Sequence, residues 1–226
     1  QMPASLPDRH EYDTLFFNYI EEGAARSARR IAPLVVGALG VRTILDVGCG
    51  AGAWLREYER LGVAILGIDG DYVDREGLLI AAQQFRALDV TSPFDLGERF
   101  DLVQCLEVAE HLPPPCSATL IGNLTRHSDR VLFSAAVPGQ GGEHHVNEQS
   151  CEFWRSLFAE QGFAVHDFLR PHLVGADVEP WYAYNTLLYA REAVGDRLPE
   201  VVRRTRVPED SPIRDFTPLP FRLRKW

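Results

Sequence analysis

The sequence of 226 residues contains little sulfur and has a deficit of positive charge. Its four cysteines include no Cys-x-x-Cys pair, which favours reduced thiols in a cytoplasm. Lysine and arginine number 23 against 32 aspartates and glutamates, so the formal net charge is −9. An acidic surface is a poor partner for nucleic acid or for anionic membranes. We therefore expect neither as a partner of this protein.

Long apolar segments and internal repeats are also missing from the sequence. No apolar run approaches the ~20 residues of a membrane span, and no charged-plus-apolar leader opens the sequence. We therefore expect a cytoplasmic protein without a membrane anchor. Hydrophobic residues make up 46% of the chain and charged residues 24%, which suits one globular domain with a substantial core.

Strand and helix patterns alternate from residue 41 to about residue 136. Such alternation predicts a parallel sheet with helices on both faces. Ligands of these sheets bind at the carboxyl ends of the strands, near the switch in strand order. The predicted elements in this part are strands 41–47, 63–68, 85–88, 99–106 and 129–136, and helices 52–61, about 72–81 and 114–127.

Residues 1–40 are predicted to form a helical cap ahead of the sheet. Helical spacing of apolar residues begins near residue 8, and a second helix with Pro33 inside it is expected over Ala24–Leu39. Aromatic residues at helical spacing usually pack in a core. In the alternative interpretation one aromatic residue closes over a bound cofactor, and the candidates are Tyr12, Phe16, Phe17 and, as our choice, Tyr19.

The C-terminal part predicts an antiparallel end to the sheet. A polar loop, 140–149, precedes an amphipathic helix over 150–161, and two strands then follow without a helical pattern between them. We predict these strands over Phe163–Leu169 and Thr186–Ala190, with loop-like residues 171–184 between them. The sheet is then seven-stranded and mostly parallel, with an antiparallel last strand. The predicted boundaries are a cap over 1–40, a core over 41–192 and an extension over 193–226, which folds back, is partly disordered or contacts a homodimer partner.

The run Ile44-Leu45-Asp46-Val47-Gly48-Cys49-Gly50-Ala51-Gly52 starts as a buried strand and ends as a glycine-rich turn. Glycines let a backbone approach a ligand closely, and the first amides of the following helix face it. Gly48-x-Gly50-x-x-Ala53 fits a dinucleotide fingerprint. Asp46-x-Gly48-x-Gly50-x-Gly52 resembles motif I of the class I S-adenosylmethionine (SAM) methyltransferases. Because a carboxylate repels a pyrophosphate but attracts the ammonium and sulfonium of SAM, Asp46 favours the methyltransferase interpretation.

Two further acids follow the next predicted strands. Asp69, with Gly70 after it, ends the second strand, where a carboxylate can accept both ribose hydroxyls of an adenosine. The alternative role of Asp69 is a helix N-cap. Asp89 resembles the methyltransferase acid that accepts from the adenine amino group, with Val90 packing on the ring or donating its amide. Its alternative role is an Asx turn.

Residues Phe100-Asp101-Leu102-Val103 and Glu107-Val108-Ala109-Glu110-His111-Leu112 closely resemble the "FDLV…EVxEHL" segment of the same family. The resemblance spans roughly residues 41–190. It implies a Rossmann-like α/β fold, SAM as methyl donor and S-adenosylhomocysteine (SAH) as product. The cofactor-binding residues it implies are Tyr19, Asp46, Gly48, Cys49, Gly50, Gly52, Asp69, Gly70, Asp89, Val90, Leu106 and Glu107.

The same segment admits a metal site. Small-RNA 2′-O-methyltransferases and ubiquinone-pathway O-methyltransferases use a similar ExxEH pattern for a metal, and two carboxylates with an imidazole can hold a divalent cation. The ligand set that we predict for Mg²⁺ is Glu107, Glu110, His111 and His145, with His144 as an alternative to His145. In the metal-free alternative, Glu110 and His111 only cap a turn.

The loop Glu143-His144-His145-Val146-Asn147-Glu148-Gln149 is similar to the "HVNEQ" segment of bacterial small-molecule and glycan-cluster methyltransferases. O-methylation requires the acceptor hydroxyl to lose a proton, and an imidazole with a pKa near ~6.5 suits that step. His145 is our candidate base and His111 the second catalytic candidate, although His145 is equally suited to organising the loop. Further along, four residues are candidates for the acceptor pocket and are equally suited to rim packing: Trp181, Tyr182, Tyr184 and Asn185.

The function that we predict is O-methylation of a small molecule or sugar-containing metabolite. The alternatives are an RNA-end 2′-O-methyltransferase, an N-methyltransferase acting on a small molecule, an NAD-linked oxidoreductase, and a binding module that keeps SAM or SAH as a structural ligand. The acidic balance of the chain disfavours the RNA enzyme, and Asp46 disfavours the oxidoreductase.

Overall fold

In the computed structural model, the backbone is described for residues 14–216 and the side chains for residues 22–216. The described strands form one sheet: β1 (Thr43–Val47), β2 (Ala64–Asp69), β3 (Phe85–Ala87), β4 (Leu102–Leu106), β5 (Arg130–Ser134), β6 (Phe163–His166) and β7 (Leu187–Arg191). Their order is β3-β2-β1-β4-β5-β7-β6. The pairs among the first five strands are parallel, and β7 is antiparallel to both of its neighbours. The predicted seven-stranded α/β sheet is therefore confirmed.

The centre of the sheet is built from strands that are apolar on both faces. In β1, Leu45 lies opposite Leu66 of β2 and Val103 of β4. Because side chains alternate along a strand, Ile44 packs in the core on one face and Leu45 in the core on the other. Near-continuous apolar strands of this kind are typical of parallel sheets that helices cover on both sides.

Seven α-helices accompany the strands over the described residues. One correction concerns the N-terminal helix, which we predicted as two helices and which runs without a break through Pro33. Pro33 is exposed, so water can reach the carbonyl that loses its helical partner. Ile31 and Val35 continue the buried stripe on either side of it. The helices are α1 (Thr14–Leu39), α2 (Ala53–Arg60), α3 (Ser117–His127), α4 (Cys151–Glu160), α5 (Arg170–Leu173), α6 (Pro180–Asn185) and α7 (Glu200–Arg203).

The helix that we predicted over about 72–81 is wrong. This segment consists of turns and leads into one 3-10 turn, Ala82–Gln84. The Asp74 carboxylate accepts an amide two residues further on, at 3.0 Å, and the Leu79 amide donates to Ala51 of the glycine-rich turn, at 2.8 Å. Amides used in these bonds are not available to a helix. The segment instead packs against the glycine-rich turn.

The loop-like assignment of residues 171–184 is also wrong, because these residues contain most of α5 and most of α6. Beyond β7, the described part of the extension folds back on the domain, with Val202 and Ile213 buried. Across residues 14–216, no helix combines the length and apolarity that a membrane crossing would require. The interpretation of Tyr12, Phe16, Phe17 and Tyr19 concerns side chains outside those described.

Candidate active site

The glycine-rich turn after β1 uses left-handed backbone at three positions. Gly48, Gly50 and Gly52 have φ angles of +83°, +53° and +90°. A Cβ added to Gly48 would lie 2.3 Å from Val108 Cγ2, whereas a Cβ on Gly50 would meet nothing within 4 Å. Gly48 therefore permits close packing against the segment after β4, and Gly50 presents bare backbone to open space.

Asp69 joins this turn to the end of β2. One of its carboxylate oxygens, Oδ2, accepts the Gly50 amide at 2.7 Å, and Oδ1 accepts the Gly70 amide at 2.7 Å and the Tyr72 hydroxyl. Asp69 is 6% exposed and Tyr72 is 81% exposed. Sequence reasoning missed Tyr72, because its contact depends on the turn that replaced the predicted helix.

Asp46 lies inside the sheet edge, next to Asp69. Burial raises its pKa to about 7, the nearby charge of Asp69 adds to this, and a hydrogen bond with Gln104 opposes it. The Tyr58 hydroxyl donates to Gln104 Oε1 at 3.0 Å and fixes that side chain. Gln104 was also missed, although one polar residue within the apolar strand Leu102–Leu106 is a readable signal. A cation would favour the ionised form of Asp46.

Asp89 lies two residues beyond β3 and is exposed. Its Oδ1 accepts the Thr91 amide at 2.9 Å and the Thr91 hydroxyl at 2.6 Å, and its Oδ2 accepts the Ser92 hydroxyl at 2.9 Å. The bonds from Thr91 and then Ser92 lower its pKa. This is the Asx turn that we considered as its alternative role, and adenine binding by Asp89 and Val90 stays a prediction.

Glu107 follows β4 with a φ angle of +55°, which is rare for a residue with a side chain and often occurs at functional sites. Asn185 Nδ2 donates to its Oε1 at 3.2 Å, and Gln140 Nε2 donates to its Oε2 at 3.4 Å. Asn185 Nδ2 also donates to Gln140 Oε1 at 3.0 Å. Three distant segments are thus joined around one carboxyl group.

Glu110 forms a buried pair with Glu107. It is 1% exposed, and neither of its carboxylate oxygens has a hydrogen-bond donor in suitable geometry among the described residues. Burial raises the pKa of both groups, and the Glu107 charge raises that of Glu110 further. Because the two carboxyls interact, they titrate as a pair. The Glu110 carbonyl accepts the amides of Val146 and Asn147 at 2.9 and 3.0 Å. These bonds anchor the loop 143–149, which we call the histidine loop.

His111 and His145 lie against each other, with ring centroids 4.9 Å apart and the rings nearly perpendicular. Burial lowers the pKa of His111, and the neighbouring His145 lowers it further. His145 Nδ1 lies 3.0 Å from Glu148 Oε1. His144 is exposed with a φ angle of +58°, and its backbone accepts a hydrogen bond from His111.

The potential ligand atoms of Glu110, His111 and His145 lie within 4.8 Å of one another. This group contains three of the four predicted metal ligands, and Glu107 stands apart from it with its carboxylate bound by the two amides. Two imidazoles with one carboxylate fit a borderline cation such as Mn²⁺ better than Mg²⁺, which prefers oxygen ligands. The donor set is therefore chemically suited to a divalent metal, and a bound ion stays a prediction.

The aromatic residues of α6 divide into packing and rim positions. Tyr182 is buried and meets the Trp54 ring edge-on, with centroids 5.0 Å apart. Tyr184 is 37% exposed and stacks on Phe216. Asn185 is the acceptor-pocket candidate that donates a hydrogen bond to Glu107.

Residues 16–134, more than half of the chain, match the sequence profile of a family described as "Methyltransferase domain". A ubiquinone biosynthesis O-methyltransferase of Alkalilimnicola ehrlichii is 36% identical over 107 residues, which are 44% of this chain and 43% of that protein. One of Acinetobacter baumannii is 26% identical over 178 residues, 75% of this chain and 70% of that protein. The first relatives are thus matched over less than half of their length.

Solved structures share the fold. Magnesium protoporphyrin IX methyltransferase from Synechocystis PCC 6803, with bound SAH, superposes with a TM-score of 0.57 at 19% sequence identity. The superposition covers 82% of this chain and 90% of that protein. The sugar N-methyltransferase KedS8 from Streptoalloteichus has a TM-score of 0.58 at 16% identity, covering 84% and 99%. The profile match and the sheet agree with the glycine-rich turn and its acids, and the chain belongs to the class I SAM-dependent methyltransferases.

Proposed function

We propose that this enzyme transfers a methyl group from SAM to an oxygen atom of a small molecule or sugar-containing metabolite. The observation that carries the proposal is the contact of Val108 with Gly48, which sets the Glu107–His111 segment directly against the glycine-rich turn. A methyl group held by the turn would therefore lie close to the carboxyl and imidazole groups that follow β4. Relatives named as O-methyltransferases support oxygen as the acceptor atom.

The residues around the turn fit SAM. Asp46, buried beside Gln104 and Asp69, suits the ammonium of the methionine end. Asp69 suits the ribose hydroxyls, which would take the place of the Tyr72 hydroxyl on its Oδ1. Gly50 offers backbone without a side chain. When bound, SAM supplies a methyl group on a positively charged sulfur, and the chain supplies position and a proton acceptor.

The histidine loop suits removal of the acceptor proton. His145 is partly buried and has Glu148 on one ring nitrogen, which leaves the other nitrogen for a proton. His111 packs on the same ring, and desolvation lowers its pKa. The amides that hold Glu107, from Asn185 and Gln140, suit the polar groups of an acceptor.

A metal-assisted form of this reaction would use Glu110, His111 and His145. A cation bound by them would lower the pKa of an acceptor hydroxyl. Dialysis against EDTA should then abolish turnover, and Mn²⁺ should restore it better than Mg²⁺. Full activity in chelator would remove this form and leave His145 as the base.

N-methylation of a small amine is the second candidate. Two buried carboxyls beside the site, Glu107 and Glu110, suit an ammonium more than a neutral hydroxyl. The fold it shares with a sugar N-methyltransferase is compatible with this acceptor class.

The test is transfer of labelled methyl from SAM into a panel of catechols, phenols, glycosides and amino sugars, followed by mass spectrometry of the products. We expect an O-methylated product, and much slower product formation by the Asp69→Ala variant at the same limiting SAM concentration. An N-methylated product would establish the second candidate instead. Binding of SAH without turnover of any acceptor would favour the binding-module interpretation.

A further inference from the structure

The loop that carries His145 is held together by the carboxylate of Glu148. Its Oε1 lies 3.0 Å from His145 Nδ1 and accepts the Gly141 amide at 2.6 Å, while Oε2 accepts the Gly139 amide at 2.8 Å. The side chains of His145 and Glu148 are only 12% and 19% exposed. Both oxygens thus accept a backbone amide whose direction is fixed. A carboxyl group held in this way is an ionised acceptor at neutral pH.

An ionised carboxylate accepts hydrogen bonds and donates none. When His145 is neutral, its proton must therefore sit on Nδ1, and Nε2 carries the free lone pair. The position of the ring depends on a second residue, because a Cβ added to Gly142 would lie 2.2 Å from Nε2. The other titratable groups that face this pair are His111, Glu110 and His144.

We propose that Glu148 is a positioning residue that holds His145 as the Nδ1-protonated tautomer, so that Nε2 is the atom that takes the acceptor proton. This rests on the proposed O-methylation. In that step the acceptor oxygen forms a bond to the methyl carbon, the carbon–sulfur bond breaks, and its electron pair leaves the sulfur neutral as in SAH. The hydroxyl proton moves to Nε2, and the resulting imidazolium, paired with Glu148, later releases it to water.

The tautomer can be measured without an acceptor. The protein is labelled with ¹⁵N-histidine and dialysed against EDTA at a pH where imidazoles are neutral. Long-range proton–nitrogen correlation NMR then reports which ring nitrogen carries the proton. The signals that disappear in the His145→Asn variant belong to His145. We expect protonated Nδ1 and bare Nε2 in the wild type. Glu148→Ala should move His145 toward the other tautomer, and Glu148→Gln, whose amide oxygen still accepts, should move it less. Glu143→Ala, in the same loop, is the matched control and should leave the signals unchanged.

Kinetics supply the second readout once an acceptor is known. Glu148→Ala should lower kcat by roughly 10- to 100-fold, less than the about 10²- to 10⁴-fold that a proton-transfer group itself contributes, because His145 is still present. The KM for SAM should change by less than about threefold. Gly142→Ala, which displaces the ring without removing a charge, should lower kcat in the same way. A wild-type His145 protonated on Nε2, or an unchanged tautomer or kcat in Glu148→Ala, would overturn the proposal. If no acceptor is found, the proposed function fails while the NMR result still decides the tautomer.

Discussion

The glycine-rich turn and the histidine loop lie at the same edge of the sheet, but they are held in different ways. Asp69 binds the Gly50 amide across 19 residues of sequence. Glu107 is held by Gln140 across 33 residues and by Asn185 across 78. The cofactor side is thus a local structure of consecutive strands, whereas the acceptor side is assembled from distant loops. A change in those loops can alter the acceptor without disturbing the residues proposed to bind SAM.

The largest expected effect is a loss of SAH affinity from a variant on the cofactor side of the site. Asp69→Ala removes a carboxylate that accepts the Gly50 and Gly70 amides. Hydrogen bonds to charged groups are worth about 1.5–3 kcal/mol, so SAH affinity should fall by roughly 10- to 150-fold in calorimetry. Asp71→Ala removes an exposed acid two residues away and serves as the control. Equal losses in the two variants would show that net charge, and not this contact, governs binding.

The next effect is slower turnover, with SAH affinity retained, from a variant on the acceptor side of the site. Asn185→Ala removes the amide that donates to Glu107 Oε1 in a partly buried place. Because we propose that these groups contact the acceptor, the loss of a contact worth about 1–3 kcal/mol should lower kcat/KM for the acceptor by roughly 5- to 150-fold, while the Kd for SAH stays within about threefold. Val174→Ala, which alters an exposed side chain after α5, is the control and should change neither quantity. A loss of SAH affinity in Asn185→Ala would mean that the two sides are not separate.

The third prediction sharpens the role of Asp46 through pH. Its pKa is about 7 in the folded chain against an ordinary 3.8, so the folded state binds more protons than the unfolded state between these values. The free energy of unfolding should therefore fall as pH rises through this window, with the loss complete above about pH 7. In urea titrations, Asp46→Asn should remove this part of the pH dependence. A pH dependence that Asp46→Asn leaves unchanged would place its origin elsewhere.

Binding should show the opposite sign for the same residue. The ammonium of SAH favours ionised Asp46, so affinity should weaken by up to about tenfold per pH unit below about pH 7. Calorimetry in buffers of different ionisation enthalpy should detect proton release on binding in that range. Asp46→Asn should bind more weakly and without proton release from this site.

The smallest effect is a difference in stability between alanine substitutions at two nearby glycines, Gly48 and Gly50. Gly50→Ala places a side chain at a φ angle of +53°, with no atom within 4 Å of the added Cβ. Because left-handed backbone is strained for a residue with a Cβ, the free energy of unfolding should fall by about 1–2 kcal/mol. Gly48→Ala adds the clash with Val108 and should cost more. Adding Val108→Ala should recover part of the loss at Gly48 and none at Gly50, as thermal unfolding would show. Equal recovery at both positions would contradict the assigned contact.

The same division explains what the sequence could predict. The alternation of strands and helices and the glycine-rich turn depend on local patterns, and the acids at the ends of the first three strands locate the sheet edge. The helix expected over 72–81 failed because Asp74 and Leu79 bond outside a helical pattern. The meeting of Gln140 with Asn185 depends on loop geometry that no periodicity encodes. Glu148 was readable as an acid near His145, but its three hydrogen bonds were not.

The central claim is that the glycine-rich turn, Asp46 and Asp69 bind the nucleoside and ammonium of SAM. Isothermal titration of the wild-type chain with SAH, and separately with NAD, tests it most directly. We predict saturable binding of one SAH per chain and no binding of NAD. A folded protein that gives no heat of binding with SAH at any concentration in the titration, or that prefers NAD, would contradict the claim.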